Sequence, residues 1–508
     1  MKRKQPLARA GITLLALGTL TIVGCGRSAT PNDPPPEGRE TAPADPATAF
    51  PPVSGRPPNI LLITVDTLRA DHLSSWGYHR ATSPNVDRLA GEGVRFDQAQ
   101  SQWPKTGPSF ASMFTSTYPK DNGIVRQIGT PIPCSFTMLA EVLQRAGYGT
   151  HAVVANGAVG SHLFFDQGFE TFLESWKLPP SDAEADPNGA ENMTRLALAA
   201  AARMDTARPW FLWVHYLDPH APYRPPGAFQ ERFQDDAFFD GTEKVAVSNR
   251  YKQELAAIGK SQVVDGEKRL DFYVARYDAE ISYVDQEIGR LLTGLGERKL
   301  LAETLTAFTS DHGESLGEHG YYFNHGRFGF QTCLHVPLIL HWPGRLKPAV
   351  DRAPVQLLNL APTLLAAAGV ALPEGRWAQG KSLWPRIANP ETATEAISFS
   401  EAGTSSNRSW IKIARDRRFA LHFVPSKREQ GWIGGAGKPW ALFDLTADPG
   451  ETKNVADLFP EDVARLQEAF GKWWRAPTFD CDTDEATCNE SRAMDEATAE
   501  LLKSLGYL

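Results

Sequence analysis

Asp66 follows the apolar run Asn59-Ile60-Leu61-Leu62-Ile63-Thr64-Val65, and Ser310-Asp311-His312 follows Thr304-Leu305-Thr306-Ala307-Phe308-Thr309. Both acids stand at the carboxyl end of a predicted buried strand, where open α/β sheets gather their ligands. A lone Asp at such a point is commonly a turn or cap residue. Two of them, an adjoining imidazole and the hydroxyl of Thr106 together make a first shell for a divalent cation. Pro108 fits the first position of a helix, with Gly107 near its N-cap. That would seat Thr106 beside free backbone N–H groups at the positive end of the helix, a natural anion seat. His220 and His325 are imidazoles suited to orient non-bridging oxygens or to protonate a leaving group. Lys105 and Arg69 are candidates for stabilising the charge of a bound anion, with simple solvation as the alternative for either. Glu314 and His319 are candidates to support the ligands from behind. His215 and His335, inside apolar runs, read as core histidines with a hydrogen bond rather than as ligands.

The elements that must hold these groups alternate short apolar runs with amphipathic segments, which predicts an α/β fold with a largely parallel sheet. The runs 59–65, 210–215, 304–309 and 336–341 are the strand candidates. Residues 272–292 carry Tyr273, Tyr277, Ile281, Val284, Ile288 and Leu291 on one helical stripe, so the two tyrosines are predicted to pack on the sheet. The polar stretch 226–266 reads as an insertion bordering the site. Beyond Pro385 the runs 411–414, 419–423 and 440–445, then a helix over 461–474, predict a smaller C-terminal α+β subdomain with an antiparallel sheet. The expected organisation is a catalytic domain over 58–390, that subdomain over 391–475, and an acidic tail over 476–508.

The chain has 508 residues and a net charge of −8, with no long basic run beyond its first residues. That argues against a nucleic-acid partner. Lys2-Arg3-Lys4 precedes an apolar stretch, short for a membrane span, that ends Ile22-Val23-Gly24-Cys25. This is the layout of a secretory signal ending in a bacterial lipobox. Cleavage before Cys25 and lipidation of its thiol would tether the protein to a membrane of the bacterial envelope, at the periplasmic or extracellular face, with Gly26 favouring the outer membrane. An uncut N-terminal anchor is the alternative. Residues 26–57 are rich in Pro, Ala, Thr and Ser and form an extended, disordered tether. Export makes disulfides admissible: Cys481 and Cys488 could close a small loop, while Cys134 and Cys333 either pair or are buried small hydrophobes.

The segment Trp103-Pro104-Lys105-Thr106-Gly107-Pro108-Ser109-Phe110-Ala111-Ser112 resembles the active-site segment of the sulfatases, C-x-P-x-R or S-x-P-x-R. Asn59 to Asp71 is similar to the sulfatase opening, with Asp66 at the first metal-binding Asp and Thr67 at the second. Ser310-Asp311-His312-Gly313-Glu314 resembles the later metal-binding segment. Pro219-His220-Ala221-Pro222-Tyr223 resembles the segment whose His contacts the transferred group, and Asn324-His325-Gly326 sits near the place of a substrate-binding Lys or His. Leu442-Phe443-Asp444-Leu445 with Asp448-Pro449-Gly450-Glu451 and Asn454 is similar to the C-terminal signature of the family. The resemblance implies the alkaline-phosphatase-like fold from about residue 59 to about residue 457.

The departures bear on the chemistry. In the sulfatases the Cys or Ser is oxidised to formylglycine, whose second hydroxyl lets the sulfated intermediate collapse without attack at sulfur. Thr106 has one hydroxyl, so that route is closed, although a direct attack on phosphorus or sulfur is open to it. Threonine nucleophiles are a theme of phosphodiesterase and lipoteichoic-acid-synthase-like relatives in the same superfamily. Phe110 stands where the Arg belongs, Thr67 removes a carboxylate, and His312 puts nitrogen in the place of oxygen. The ion is therefore expected to be one of Mn, Zn, Mg or Ca, with His312 favouring Mn or Zn. The resulting expectation is a metal-dependent hydrolase, or a transferase, of anionic esters. Thr106 is nucleophile and fourth ligand beside Asp66, Asp311 and His312, and phosphodiester or phosphonate esters are favoured over sulfate esters. A catalytically silent lipoprotein that binds anionic glycans or envelope polymers is the alternative, motivated by Phe110 and Thr67.

Overall fold

The run Asn59–Val65 is β-branched and apolar on both sides, and it becomes the centre of the sheet, with Ile60 to Val65 fully buried. The computed structural model describes residues 55–508 apart from 127–128, 134, 181–185, 235–242, 249–254, 372, 374–378, 390–395, 404–409, 435–436, 476–491, 506 and 508. Cys25, Cys134, Cys481 and Cys488, the signal-like segment and all of the tether except residues 55–57 lie outside the described residues. Cys333 is buried and free.

Nine strands form the main sheet. From one edge the order is Ala349–Asp351, Val94–Gln100, His335–His341, Thr304–Ser310, Asn59–Val65, Trp210–Tyr216, Gly149–Val154 and Thr171–Glu174, with Val355–Gln356 also pairing with Val94–Gln100. Only His335–His341 runs against its neighbours; every other pairing is parallel. Register does the positioning. Val65 lies opposite Tyr216 on one side and Ser310 on the other, so Asp66 and Asp311 leave the sheet side by side.

Side chains alternate between the faces with period two. Ile60 and Leu62 join the core under the helices Thr106–Thr115, Leu139–Arg145 and Leu360–Ala367, while Leu61, Ile63 and Val65 join the core under Ala190–Ala201 and Leu270–Glu297. The long helix Leu270–Glu297 contains the predicted stripe and extends past it at both ends. Tyr273 and Tyr277 are fully buried in that core. Among the described residues no helix is long and apolar enough to cross a membrane.

A second, four-stranded antiparallel sheet comprises Ser398–Ala402, Ile411–Arg415, Phe419–Phe423 and Trp440–Asp444 in chain order, with the helix Pro460–Arg475 packed on it. The strand Ser398–Ala402 is of mixed polarity and has no run that marks it in the sequence. It docks by backbone: Glu401 N–H donates to Gln102 O (2.9 Å) and Ser400 Oγ–H to Ser101 O (2.6 Å). Both contacts lie just upstream of Thr106.

Candidate active site

The helix Thr106–Thr115 begins at Thr106 itself, with Lys105 in extended conformation as N-cap and the first bond from Ser109 N–H to Lys105 O (3.0 Å). This corrects the expected start at Pro108, with Gly107 near the cap. The first four N–H groups of a helix have no internal partner, so a proline in its third position forfeits nothing. Thr106 thus occupies the first turn, at the positive end of the helix. Ser109 Oγ–H donates to Asp311 O (2.7 Å), which fastens this helix to the end of the Thr304–Ser310 strand.

Asp66, Asp311 and His312, all fully buried, converge there, with one ligand atom of each within 4.8 Å of the others. His312 Nε2 lies 3.4 Å from Asp311 Oδ2, 4.0 Å from Asp66 Oδ1 and 3.4 Å from Thr106 Oγ1. His312 Nδ1 lies 2.9 Å from Gly313 O. A carbonyl only accepts, so Nδ1 carries the proton and the Nε2 lone pair faces the carboxylates. Gly313 is required: a Cβ there would come within 2.1 Å of Thr332 O.

The donor set fits a divalent cation. Asp66 Oδ1 and Asp311 Oδ2 are buried without a hydrogen-bond partner, as is Thr67 Oγ1. Burial, reinforced by the charge of Asp66, pushes the Asp311 carboxyl well above its ordinary value. Burial acts the same way on Asp66, but the hydrogen-bonding contact with His215 and the charges of His220, His215 and His312 outweigh it and hold that carboxyl low. Thr67 adopts a left-handed conformation (φ 54°), costly for a β-branched residue. Its backbone is held in place by Thr67 N–H to Asp311 Oδ1 (3.3 Å) and Tyr277 O–H to Thr67 O (2.8 Å).

Three groups that the sequence reading passed over stand in this cluster. Asn156 Nδ2 donates to Asp66 Oδ2 (2.6 Å); the residue sits just past the apolar strand Gly149–Val154, the same strand-exit signal that marks Asp66. His215 was assigned to the core; it is fully buried with Nδ1 3.1 Å from Thr64 Oγ1, and its Nε2 lies 3.6 Å from Asp66 Oδ2. Tyr507, in the tail, places its hydroxyl 2.7 Å from His220 Nε2, a contact with no local pattern to reveal it.

His220 and His325 face each other with ring centroids 5.4 Å apart, and His325 lies 4.3 Å from the His312 ring. His325 Nδ1 is 3.2 Å from Glu314 Oε1. Burial and the neighbouring His220 push His325 down to about 3, and burial raises Glu314 to about 8. At neutral pH His325 is therefore an uncharged imidazole beside a protonated carboxyl. Lys105 lies across Gly326, where a Cβ would meet its Cε at 2.4 Å, and burial lowers its ammonium to about 8.

The structure does not bring Arg69 into this pocket. Its buried guanidinium donates to the solvent-facing carboxylates of Asp71 (2.9 and 2.7 Å) and Glu318 (2.6 Å) and to Glu314 O (3.2 Å), a structural clasp. His319 stacks on Phe330 (3.7 Å, 8°), and His335 Nε2 bonds Asp97 O (2.7 Å). Phe110 is fully buried against Trp213 and His215, so the position of the expected Arg is filled by an aromatic cluster.

Comparison with known proteins identifies the family and the fold. Residues 58–370 match the family model described as Sulfatase, and residues 317–470 match N-sulphoglucosamine sulphohydrolase, C-terminal. Choline-sulfatase of Rhizobium meliloti (strain 1021) is 28% identical over 501 residues, covering 89% of this chain and 92% of that protein. The solved phosphonate monoester hydrolase of Agrobacterium radiobacter superposes with a TM-score of 0.63 at 24% identity, over 82% of this chain and 95% of that one. A solved protein in complex with its substrate D-glucosamine-2-N,6-O-disulfate gives a TM-score of 0.65 at 21% identity, over 85% of this chain and 100% of that one.

Proposed function

The chain belongs to the sulfatase family of ester hydrolases, and on that premise we propose that it hydrolyses phosphodiester or phosphonate esters in preference to sulfate esters, with Thr106 as nucleophile. The observation that carries this is the placement of Thr106 Oγ1 at the first turn of its helix, 3.4 Å from His312 Nε2 and beside the paired Asp66 and Asp311. Asp66, Asp311, His312 and Thr106 would hold one divalent cation, which when bound supplies Lewis-acid stabilisation of the ester's negative charge.

The residues of the chain account for the rest. Thr106 Oγ gives its proton to solvent water and bonds to the central phosphorus, and the bond to the leaving oxygen breaks. His325 donates its Nε2 proton to that oxygen while Glu314 passes its own proton to Nδ1. Water then attacks the phosphorus, giving one proton to His325 Nε2 while Nδ1 returns its proton to Glu314, and the Thr106 bond breaks as its oxygen takes a proton back from solvent. Ester and water become alcohol and anion. Lys105 lies beside His325 and adds positive charge to the anion seat. A single hydroxyl on Thr106 leaves the second step to external water, and phosphorus accepts that attack more readily than a sulfate's sulfur.

Cys25 supports a further part of the reading, a lipid-anchored enzyme of the bacterial envelope; metabolic labelling with palmitate should mark the wild type and not Cys25→Ala. The test of the chemistry compares turnover of an aryl sulfate, an aryl phosphate diester and an aryl phosphonate after loading with Mn, Zn, Mg or Ca, with Thr106→Ala as control. Phosphoryl turnover that needs Thr106 is expected. Turnover of the sulfate alone would sink the preference, and silence on all three would favour a binding protein for anionic glycans or envelope polymers.

A further inference from the structure

Residues 492–505 and Tyr507 return to the catalytic face and are fixed there by contacts of several kinds. The helix Glu496–Ser504 is capped by Asp495, whose side chain accepts from Thr498 N–H (2.9 Å). Asp495 pairs with Lys177 (2.5 Å), and Arg492 pairs with Asp166 (2.6 Å) while lying 4.4 Å above the Phe164 ring. Trp176 Nε1–H donates to the buried Thr498 Oγ1 (3.0 Å). Leu502 is fully buried against Gly157, where a Cβ would come within 3.2 Å of the leucine side chain. Gly157 directly follows Asn156, the partner of Asp66, so the helix is anchored at the rim of the pocket.

Past the helix, Tyr507 N–H donates to Leu502 O (2.8 Å) and the tyrosine ring turns inward. Its hydroxyl is 2.7 Å from His220 Nε2, with the rings edge to face at 5.6 Å. His220 Nδ1 lies 2.7 Å from Ala221 O, which can only accept. Nδ1 therefore carries the imidazole proton, Nε2 is an acceptor, and the Tyr507 O–H is the donor. The phenol thus meets the histidine expected to face the ester, on a segment seated beside Gly157 and so next to Asn156, the supporter of Asp66.

We propose that Tyr507 is a positioning residue of this active site, delivered by the anchored helix Glu496–Ser504, and that its hydroxyl holds the His220 ring in its place at the wall of the ester pocket. The proposal rests on the reading of this pocket as an ester site. A hydrogen bond at each ring nitrogen, Ala221 O at Nδ1 and the Tyr507 O–H at Nε2, fixes the plane of the imidazole, and loss of either frees it to turn. An occluding role would leave the same contact but the opposite functional sign, so the experiment is built on that sign.

The full chain labelled with nitrogen-15 histidine carries twelve imidazoles, and His220→Gln identifies the resonances of His220. In Tyr507→Phe, which keeps the ring and removes the hydroxyl, the Nε2 resonance should move toward that of an unbonded acceptor. Inorganic phosphate, titrated on the same resonances, should bind about two- to tenfold more weakly, as expected for one lost hydrogen bond. On whichever aryl ester the wild type turns over, kcat should fall roughly 10- to 100-fold with little change in KM. An unmoved His220 resonance would overturn the proposal, as would tighter phosphate binding or faster turnover in Tyr507→Phe, which would make Tyr507 an obstruction. If the wild type turns over none of the three esters, the ester reading fails by itself, while the resonance and the phosphate titration still decide the place of Tyr507.

Discussion

Two sets of fully buried ionisable groups in this molecule are built on opposite principles. Where the four-stranded sheet meets the body, Glu451 accepts from Arg415 (2.9 Å) and from Gln331 N–H (2.5 Å), and His422 Nε2 lies 3.1 Å away. Burial alone would raise that carboxyl, but the charge of Arg415, the bond and charge of His422 and the Gln331 N–H together outweigh burial and hold it at about 2. At the ends of the central strands, Asp66 and Asp311 face each other with one oxygen each unpartnered, and Asp311 is pushed the other way. One cluster contains its own counter-charge; the other requires one from outside. Burial of charge is thus no guide to function until its compensation is examined.

The contrast is broken most strongly at Thr106. Thr106→Ala is expected to lower kcat by about 10⁴-fold or more, as loss of a nucleophile does, while metal content measured by emission spectroscopy stays near that of the wild type, since two carboxylates and an imidazole remain. Full turnover in this variant would remove Thr106 from the mechanism. The structural cluster should respond in the opposite sense. Arg415→Met strands Glu451 in the interior and is expected to cost about 3–5 kcal/mol in chemical denaturation. Its residual turnover per folded molecule should be close to that of the wild type.

Asp311→Asn sharpens the comparison, because it should cost function and gain stability. It is expected to lose metal and turnover together, yet the metal-free variant should exceed the metal-free wild type at pH 8 by about 1–3 kcal/mol, the scale of an uncompensated buried polar group. The sign follows from linkage. An acid whose folded value is raised contributes stability below its ordinary value, and that contribution is lost as pH rises toward the folded value. The metal-free wild type should therefore lose stability with rising pH across a window in which Asp311→Asn stays flat. A flat wild type would mean that the two carboxylates are compensated from within.

Much of this contrast was legible in the sequence, for reasons of range. Asp66, Asp311 and His312 follow uninterrupted apolar runs, and parallel register then brings their strand ends together without further information. Period two and period 3.6 likewise mark the central strands and the Leu270–Glu297 helix. The start of the Thr106 helix was misplaced by two residues because proline tolerates any of the first helical positions. Arg69 looked like an anion binder because charge is visible in a sequence and its partners Asp71 and Glu318 are not. Tyr507 was invisible for the same reason on a longer scale: 287 positions separate it from His220, and only the docking of the helix Glu496–Ser504 joins them. Phe110 was read as a lost Arg, whereas the fold shows what replaces it, an aromatic cluster with Trp213 and His215.

The finest distinction between the two clusters is the pH range over which each is charged. Burial lowers Lys105 to about 8, and among the described residues its ammonium has no ion-pair partner, unlike Arg415. Below pH 8 the pocket holds a cation next to the anion seat; as pH rises through 8 that charge is lost. Glu314, raised by burial to about 8, gains a negative charge over the same interval. Both changes weaken the hold on an anionic ester, so KM should rise from pH 7 to pH 9 by about tenfold, or 1.4 kcal/mol. Lys105→Arg should remove the lysine's share, since a guanidinium stays charged throughout. Glu314→Gln should remove the other share, leaving only the lysine step. A KM profile unchanged by Lys105→Arg would place Lys105 outside the anion seat, and the double variant should be flat if these two groups account for the whole dependence.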